Sequence, residues 1–380
     1  MKILVFTEAS SAGVGRHVID LVEALVSHNH ECHLLYGTKR MDRRFSSRAE
    51  RLPHTCAIKV FKNPRCSDLS ALLHLRRYIR LHGPFDILHA HSTKAGLLLR
   101  LAASGFKAAV VYTPHAPLTL NPRLSPLARF GLAHFELALA RLTDRVIAVS
   151  REEAEHLALC GIPRRKLSVV ANGIEPALVQ ASRRHSTGPV RIGFLGRLSS
   201  QKNVNMLLEA FAAAFRCDEA VSLAIGGTGP EANALLAKAE TLGILDRVNW
   251  LGECTADVMS TFDILALPSS YEGMPYVLLE ALASGLPIVA TAVGGVRSVI
   301  QDEVEGLVVQ PGDSGQFGAA LRKLATDPKL REAFSRNAIV RASSFTLNRM
   351  VEETFCVYQQ SVRPSERLRV PVRTSPVAAD

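Results

Sequence analysis

"QASRRHSTGPVRIGFLG" (residues 180–196) decides how this chain is divided. It begins as a mostly polar stretch closing on Gly-Pro, which breaks any helical or strand period. It ends as "VRIGFLG" (190–196), an apolar run rich in β-formers. The same pattern stands on both sides of the break: short apolar strands alternating with helical segments. Before it come "KILVFT" (2–7), "ECHLLYG" (31–37), "DILHAH" (86–91), "AAVVYTPH" (108–115) and "RVIAVS" (145–150), with helical stretches such as 94–103 and 126–142 between them. After it come "VRIGFLG", "VSLAIGG" (221–227), "VNWLG" (248–252), "DILALPS" (263–269), "PIVAT" (287–291) and "GLVVQPG" (306–312), with helices over 203–215 and 230–243.

Such alternation implies parallel sheets with right-handed crossovers. The expected fold class is therefore α/β, two Rossmann-like domains facing across a cleft. The 380 residues also exceed the ~250–300 at which one core stops growing. The expected boundaries are residues 1–184 and 185–345. A helix over 346–361 is expected to cross back onto the first domain, and the Pro-broken tail 362–380 to be disordered.

Composition narrows the function classes. Hydrophobic residues make up 47% of the chain, enough for two cores, and no apolar run reaches the ~18 residues of a membrane span. The apolar run at the N-terminus is too short for a secretory signal. Seven scattered cysteines with no CxxC pair point to reduced thiols in the cytoplasm rather than a zinc ribbon or a disulfide scaffold. The net charge of +10 is uneven: residues 1–187 hold 27 Lys and Arg against 14 Asp and Glu, residues 188–380 hold 18 against 21. A basic first half suits an anionic membrane surface or an acidic substrate. No nucleic-acid-binding motif accompanies the basic clusters at 40–51 and 74–83, so nucleic acid is not an expected partner.

Open α/β sheets bind ligands beyond the carboxyl ends of their strands, so the loops there carry the candidates. "GVGRH" (13–17) opens a helix after the first strand; Gly13 and Gly15 either let backbone approach a ligand or simply make a tight turn. It is not a dinucleotide fingerprint, since Val18 holds the third glycine position. His89 reads as a core histidine, while His91 and His115 lie nearer the strand ends where ligands bind. No third ligand with zinc spacing stands out, and no metal is expected. "GRLSSQKN" (196–203) places Arg197 and Lys202 before a helix, which suits a diphosphate. "IGGTGPE" (225–231) is a further Gly-rich turn.

"YEGMPYVLLEALASGLP" (271–287) holds two acids. The helix is expected over 275–284, with Pro275 in its first turn and Gly285 and Pro287 ending it. Glu272 then precedes the helix, beside free N–H groups around Gly273 and Met274. Glu280 falls among leucines, and a buried carboxylate is costly unless hydrogen-bonded, so a ligand or backbone donor is expected to meet it. Eight positions on a helix set the acids about 80° and about 12 Å apart. They read as two separate hydroxyl acceptors along an extended ligand.

Together these motifs resemble glycosyltransferase family 4, of the GT-B fold, over nearly the whole chain. The most specific part is "EGMPYVLLE" followed by "ALASGLPIVATAVGG", with "GRLSSQKN" upstream and "ANGIE" (171–175) entering the connector. The resemblance implies transfer of a sugar from a nucleotide-diphosphate sugar with retention of anomeric configuration. It places Arg197 and Lys202 on the donor diphosphate, Glu272 on the donor sugar, and Gly273, Met274 and Pro275 against sugar and phosphate. It places Glu280 on the ribose, Gly13 and Gly15 near the phosphate, and His115 near the reacting centre. Thr228 stands where many relatives have an acid, and Glu175 where Asp is common. No D-x-D metal-nucleotide signature occurs, so no metal cofactor is implied. "FDILHAHSTKAGLLLRLAA" (85–103) is similar to bacterial enzymes of O-antigen, capsule and exopolysaccharide assembly. That implies a glycan or polyprenyl-diphosphate-linked acceptor and a peripheral place on the inner membrane face. The competing readings are a nucleotide-sugar 2-epimerase of the same fold and a non-catalytic relative.

Overall fold

The computed structural model describes residues 1–60, 67–175, 188–216 and 220–362. Residues 180–187 of the Gly-Pro stretch and 363–380 of the tail lie outside them.

The first sheet contains β1 (Lys2–Thr7), β2 (Glu31–Gly37), β3 (Thr55–Ile58), β4 (Ile87–His91), β5 (Ala109–Thr113), β6 (Arg145–Ala148) and β7 (Leu167–Val169). All neighbours pair parallel, in the order β3-β2-β1-β4-β5-β6-β7. The second contains β8 (Val190–Leu195), β9 (Val221–Gly226), β10 (Val248–Gly252), β11 (Ile264–Leu267), β12 (Ile288–Thr291) and β13 (Gly306–Val309). Its order is β10-β9-β8-β11-β12-β13, again parallel throughout. The chain is thus α/β with two Rossmann-like sheets, and each reverses its winding once, between β1 and β4 and between β8 and β11. Ligands bind at such switch points.

Parallel strands covered on both faces read as continuous apolar runs. That is why β4, β5, β11 and β12, buried at every residue, were legible. The two strands without a sequence signal are β3 and β7, at the sheet's edges. Only Ile58 of β3 is buried and no residue of β7 is, so neither needs an apolar run.

Helices cover both faces of each sheet. Ala71, Leu75 and Ile79 of helix Ser67–His82 join Leu98 and Leu99 of helix Thr93–Ala102 on one face of the first sheet. Val18, Leu21 and Leu25 of helix Ala12–Ser27 pack on the other with Met350, Val351 and Tyr358 of helix Leu347–Ser361. The last helix therefore sits in the core of the first sheet. Two strands of backbone pass side by side between the sheets. Ile174 N–H donates to Phe345 O and Leu347 N–H to Ile174 O, each at 2.9 Å. Among the described residues no helix is long and apolar enough to cross a membrane.

Candidate active site

A cleft of about 2410 Å³ opens between the two sheets, and all ten of the expected site residues line it. Its walls are the loops after β1, β5, β8 and β11. Gly13 and Gly15 differ in what they do there. A Cβ on Gly15 would lie 2.7 Å from the Ser10 carbonyl carbon, so the close turn needs that glycine. Gly13 meets only the Tyr276 ring edge, at 3.5 Å, and fronts the cleft.

On the second-sheet side, Lys202 reaches from the loop after β8 to the loop after β11. Its Nζ donates to Glu272 Oε1 at 2.6 Å, and Ser269 Oγ donates to the same oxygen at 2.7 Å. Glu272 is 5% exposed, so its charge is held by a cation rather than by water. Arg197, two residues past the end of β8, is exposed at the cleft rim. The turn at Thr228 supports this loop, since Leu198 N–H donates to Thr228 O at 2.9 Å.

The following helix is Tyr276–Ala283. Pro275 is extended and sits at the N-cap, so the helix begins one residue later than sequence placed it. The proline ring disfavours helical backbone at Met274 before it, which keeps the helix from beginning any earlier. Glu280, 9% exposed, is met by a side chain rather than by backbone. It forms an ion pair with Arg16 of helix Ala12–Ser27, across the cleft. Arg16 Nε lies 3.5 Å from Asp20, and Asp20 is bound by Arg48 at 2.7 Å. Burial raises the Glu280 pKa and Arg16 opposes that rise. Nothing in the sequence linked two residues 264 positions apart.

The histidines form one network. His115 Nε2 lies 3.0 Å from His91 Nδ1, and the His17 and His115 ring centroids are 4.6 Å apart. His17 Nδ1 lies 3.0 Å from Asn172 Oδ1 and 3.2 Å from the Tyr276 hydroxyl. Asn172 Nδ2 donates to Met274 O at 2.7 Å, tying the connector to the Gly273–Pro275 loop. His89 is the core histidine expected, held between Tyr358 and Thr113 at 2.6 and 2.8 Å. His91 stands at the carboxyl end of β4 as expected, its last residue, but its ring is fully buried and does not line the cleft. Burial drives His17 down to about 4 and His89, His91 and His115 well below their ordinary value. All four are neutral at physiological pH. His17, His91 and His115 bring one nitrogen each within 4.8 Å of one another, and Glu31, His33 and His54 bring a carboxylate oxygen and two nitrogens equally close. Neutral imidazoles are suitable metal ligands, yet the first trio already spends nitrogens on Asn172, Tyr276 and one another.

His115 owes its position to a residue that sequence reasoning passed over. His115 and Ala116 are both left-handed, with φ of 53° and 70°, a conformation costing roughly 1–3 kcal/mol per residue. Glu153, fully buried, holds it: Oε1 accepts the Ala116 N–H at 2.8 Å and Oε2 the Val149 N–H at 2.7 Å. Gly273 packs on the same turn so closely that a Cβ would lie 2.9 Å from Ala116 N. The available signal was "SREE" (150–153), an S-x-x-E helix start. Ser150 does cap, accepting the Glu153 N–H at 3.1 Å. A second unnoticed carboxylate, Glu8, accepts from Ser92 Oγ and, at 3.0 Å, from the Ala95 N–H, joining the loops after β1 and β4.

Burial pushes the Glu153 carboxyl up from 4.5 to about 7. Its charged form is disfavoured in the fold, so its contribution to stability is full below about 4.5 and lost as pH rises through about 7. The buried histidines act oppositely, costing stability as pH falls below about 6.5. Glu153→Gln cannot ionise. Relative to wild type its melting temperature is expected to rise from pH 5 to about pH 7 and then to level off, over a constant offset for one lost hydrogen bond. A pH-independent difference would contradict this.

Residues 11–178 match the family description "Glycosyltransferase Family 4", and residues 179–341 match "Glycosyl transferases group 1". A D-inositol 3-phosphate glycosyltransferase of Actinosynnema mirum is 30% identical over 306 residues, 73% of each chain. Among solved structures, Anabaena HepE in complex with UDP and glucose superposes with a TM-score of 0.81 at 20% identity, covering 95% of this chain and all of that one. WaaG, a glycosyltransferase involved in lipopolysaccharide biosynthesis, gives 0.74 at 18% identity, covering 94% and 99%.

Proposed function

The chain belongs to glycosyltransferase family 4 and is a glycosyltransferase of the GT-B fold; from that premise we propose that it transfers a sugar, with retention, from a nucleotide-diphosphate sugar to a glycan or lipid-linked acceptor in cell-surface polysaccharide synthesis. The observation that carries the reading is the Lys202–Glu272 ion pair just before helix Tyr276–Ala283, in a cleft that Arg197 also lines. Two cations and a helix N-terminus are what a departing diphosphate needs, and they supply it without a metal step. The carboxylate of Glu272 gives up Lys202 to the donor phosphates and turns to the sugar hydroxyls. Glu280 exchanges Arg16 for the ribose hydroxyls. Neutral His115 offers a hydrogen bond at the reacting centre, not a charge.

In the reaction, the bond from the anomeric carbon to the β-phosphate oxygen breaks as an acceptor oxygen bonds to the same face of that carbon. The acceptor's proton passes to the departing phosphate oxygen. No carboxylate nucleophile is required, and a glycosyl-enzyme trapped on Glu272 would sink this step. The acceptor and site of action stay with the basic first half: a polysaccharide or polyprenyl-diphosphate-linked glycan at the inner membrane face.

The test is a nucleotide-sugar panel read by thermal stabilisation, where a ligand at a hundred times its dissociation constant adds about 2.7 kcal/mol. One donor class, with the UDP-sugars first in the panel, is expected to stabilise wild type. Glu280→Ala is expected to raise the donor KM by about tenfold with kcat little changed, the mark of a uniform binding contact. A kcat loss equal to the loss in kcat/KM would instead place Glu280 at the chemistry.

A further inference from the structure

Away from the cleft, a second set of ligand-type side chains converges at the opposite end of the first sheet, where β2 begins. Glu31 and His33 alternate onto one face of that strand, the face that helix Ser67–His82 covers where Leu35 meets Leu75 and Ile79. The next strand arrives in register beside them: Leu34 N–H donates to His54 O at 2.8 Å, one residue before β3 starts. That pairing sets the His33 and His54 rings 4.5 Å apart and nearly parallel, at 10°. Glu31 Oε1 lies 3.1 Å from His33 Nε2. The carboxylate oxygen and the two imidazole nitrogens all fall within 4.8 Å of one another.

The surroundings suit a metal ion. Tetrahedral zinc bonds of about 2.0–2.2 Å hold ligand atoms about 3.3–3.6 Å apart, and Glu31 and His33 already stand close to that spacing. His54 is exposed, so its ring has only to turn out of the stack to complete the set. His33 is 3% exposed and oriented from behind, with Nδ1 2.9 Å from the Tyr78 hydroxyl and Nε2 facing Glu31. A ligating imidazole is ordinarily fixed in this way by a hydrogen bond at its other nitrogen. Lys2 Nζ also reaches Glu31 Oε1, at 2.9 Å; a carboxylate has about four acceptor positions, so room for a second cation remains.

We propose that Glu31, His33 and His54 bind one zinc ion, with water in the fourth position, and that the ion clips the edge strand Thr55–Ile58 to the sheet. That strand buries only Ile58, so apolar packing gives it little hold of its own. Two imidazoles and a carboxylate are a zinc donor set, and imidazole does not suit Mg²⁺. None of the three residues is among those lining the cleft. The ion is therefore structural, and its site stands or falls separately from the sugar-transfer reading.

The test is titration of the full chain, stripped with EDTA and dialysed, with zinc chloride, followed by calorimetry and by melting temperature. One ion per chain is expected, bound at micromolar concentration or below, with a melting temperature that rises with zinc and returns on adding EDTA. His54→Ala, an exposed position, is expected to weaken zinc about tenfold or more while melting as wild type does in the absence of metal. Tyr78→Phe keeps the ring and removes only the hydroxyl at His33 Nδ1; it too is expected to weaken zinc, by about tenfold. His33 itself is left in place, because its loss would disturb the core. No zinc-dependent rise in melting temperature would overturn the proposal. Wild-type affinity in the His54→Ala chain would assign the ion to another set, such as His17, His91 and His115, and overturn it as well. An equal response to Mg²⁺ would remove the imidazoles from the site, with the same consequence.

Discussion

Lys202→Ala is expected to lower kcat/KM for the donor by about 10²–10³-fold, or roughly 3–4 kcal/mol of transition-state stabilisation. Lys202 supplies the cation nearest to where the diphosphate gathers charge as it leaves, and Arg197, exposed at the rim, has no comparable anchor. The loss should fall mainly on kcat, because the lysine interacts more strongly with the departing diphosphate than with the bound donor. A folding defect is separable from this effect. Glu272 keeps its Ser269 hydrogen bond at 2.7 Å, and the pair borders an open cleft, so melting should drop by only a few degrees. Lys202→Arg keeps the charge and is expected to recover part of the rate. Initial-rate kinetics over a range of donor concentrations decide it; a Lys202→Ala enzyme within threefold of wild type would remove Lys202 from the chemistry.

The largest expected effect on stability lies at Arg100. It is 1% exposed, donates to Glu136 at 2.5 and 3.2 Å and to Gly96 O at 2.8 Å, and stands 4.1 Å over the Tyr112 ring. Breaking a buried pair by removing one partner costs about 3–5 kcal/mol. For Arg100→Met that is a fall in melting temperature on the order of 10 °C. The cost arises because Glu136 is left charged and mostly buried, so Arg100→Met with Glu136→Leu should regain most of it. Differential scanning calorimetry of both variants reads the result. A single variant melting within two degrees of wild type, or a double variant no better than the single, would refute this role. The same pair ties helix Pro126–Leu139 to helix Thr93–Ala102.

How much of this was legible in the sequence follows from distance along the chain. Strands buried on both faces must be apolar throughout, so β1, β2, β8 and β12 announced themselves, while edge strands such as Thr55–Ile58 had no such requirement. The site loops were legible for the same local reason: Gly, Pro, Lys and Glu at the ends of strands have few structural uses. Contacts between distant segments were not. Glu280 was expected to meet a ligand or a backbone donor, and the partner that sequence did not supply is Arg16 from the opposite wall. His115 was found, but not the Glu153 carboxylate that holds its left-handed turn. The S-x-x-E spacing at 150–153 marks a helix start, but nothing in it says that the glutamate reaches a turn 37 positions earlier. His91 illustrates the converse. A strand end is where ligands gather, yet its ring turned inward and now supports His115 at 3.0 Å.

Proton NMR of the product formed from the donor that stabilises the protein tests the central claim most directly. Retaining transfer gives an acceptor glycoside with the donor's own anomeric configuration, accompanied by an equal amount of nucleoside diphosphate. An inverted glycoside, or nucleoside diphosphate released with a free epimerised sugar and no glycoside, would contradict it.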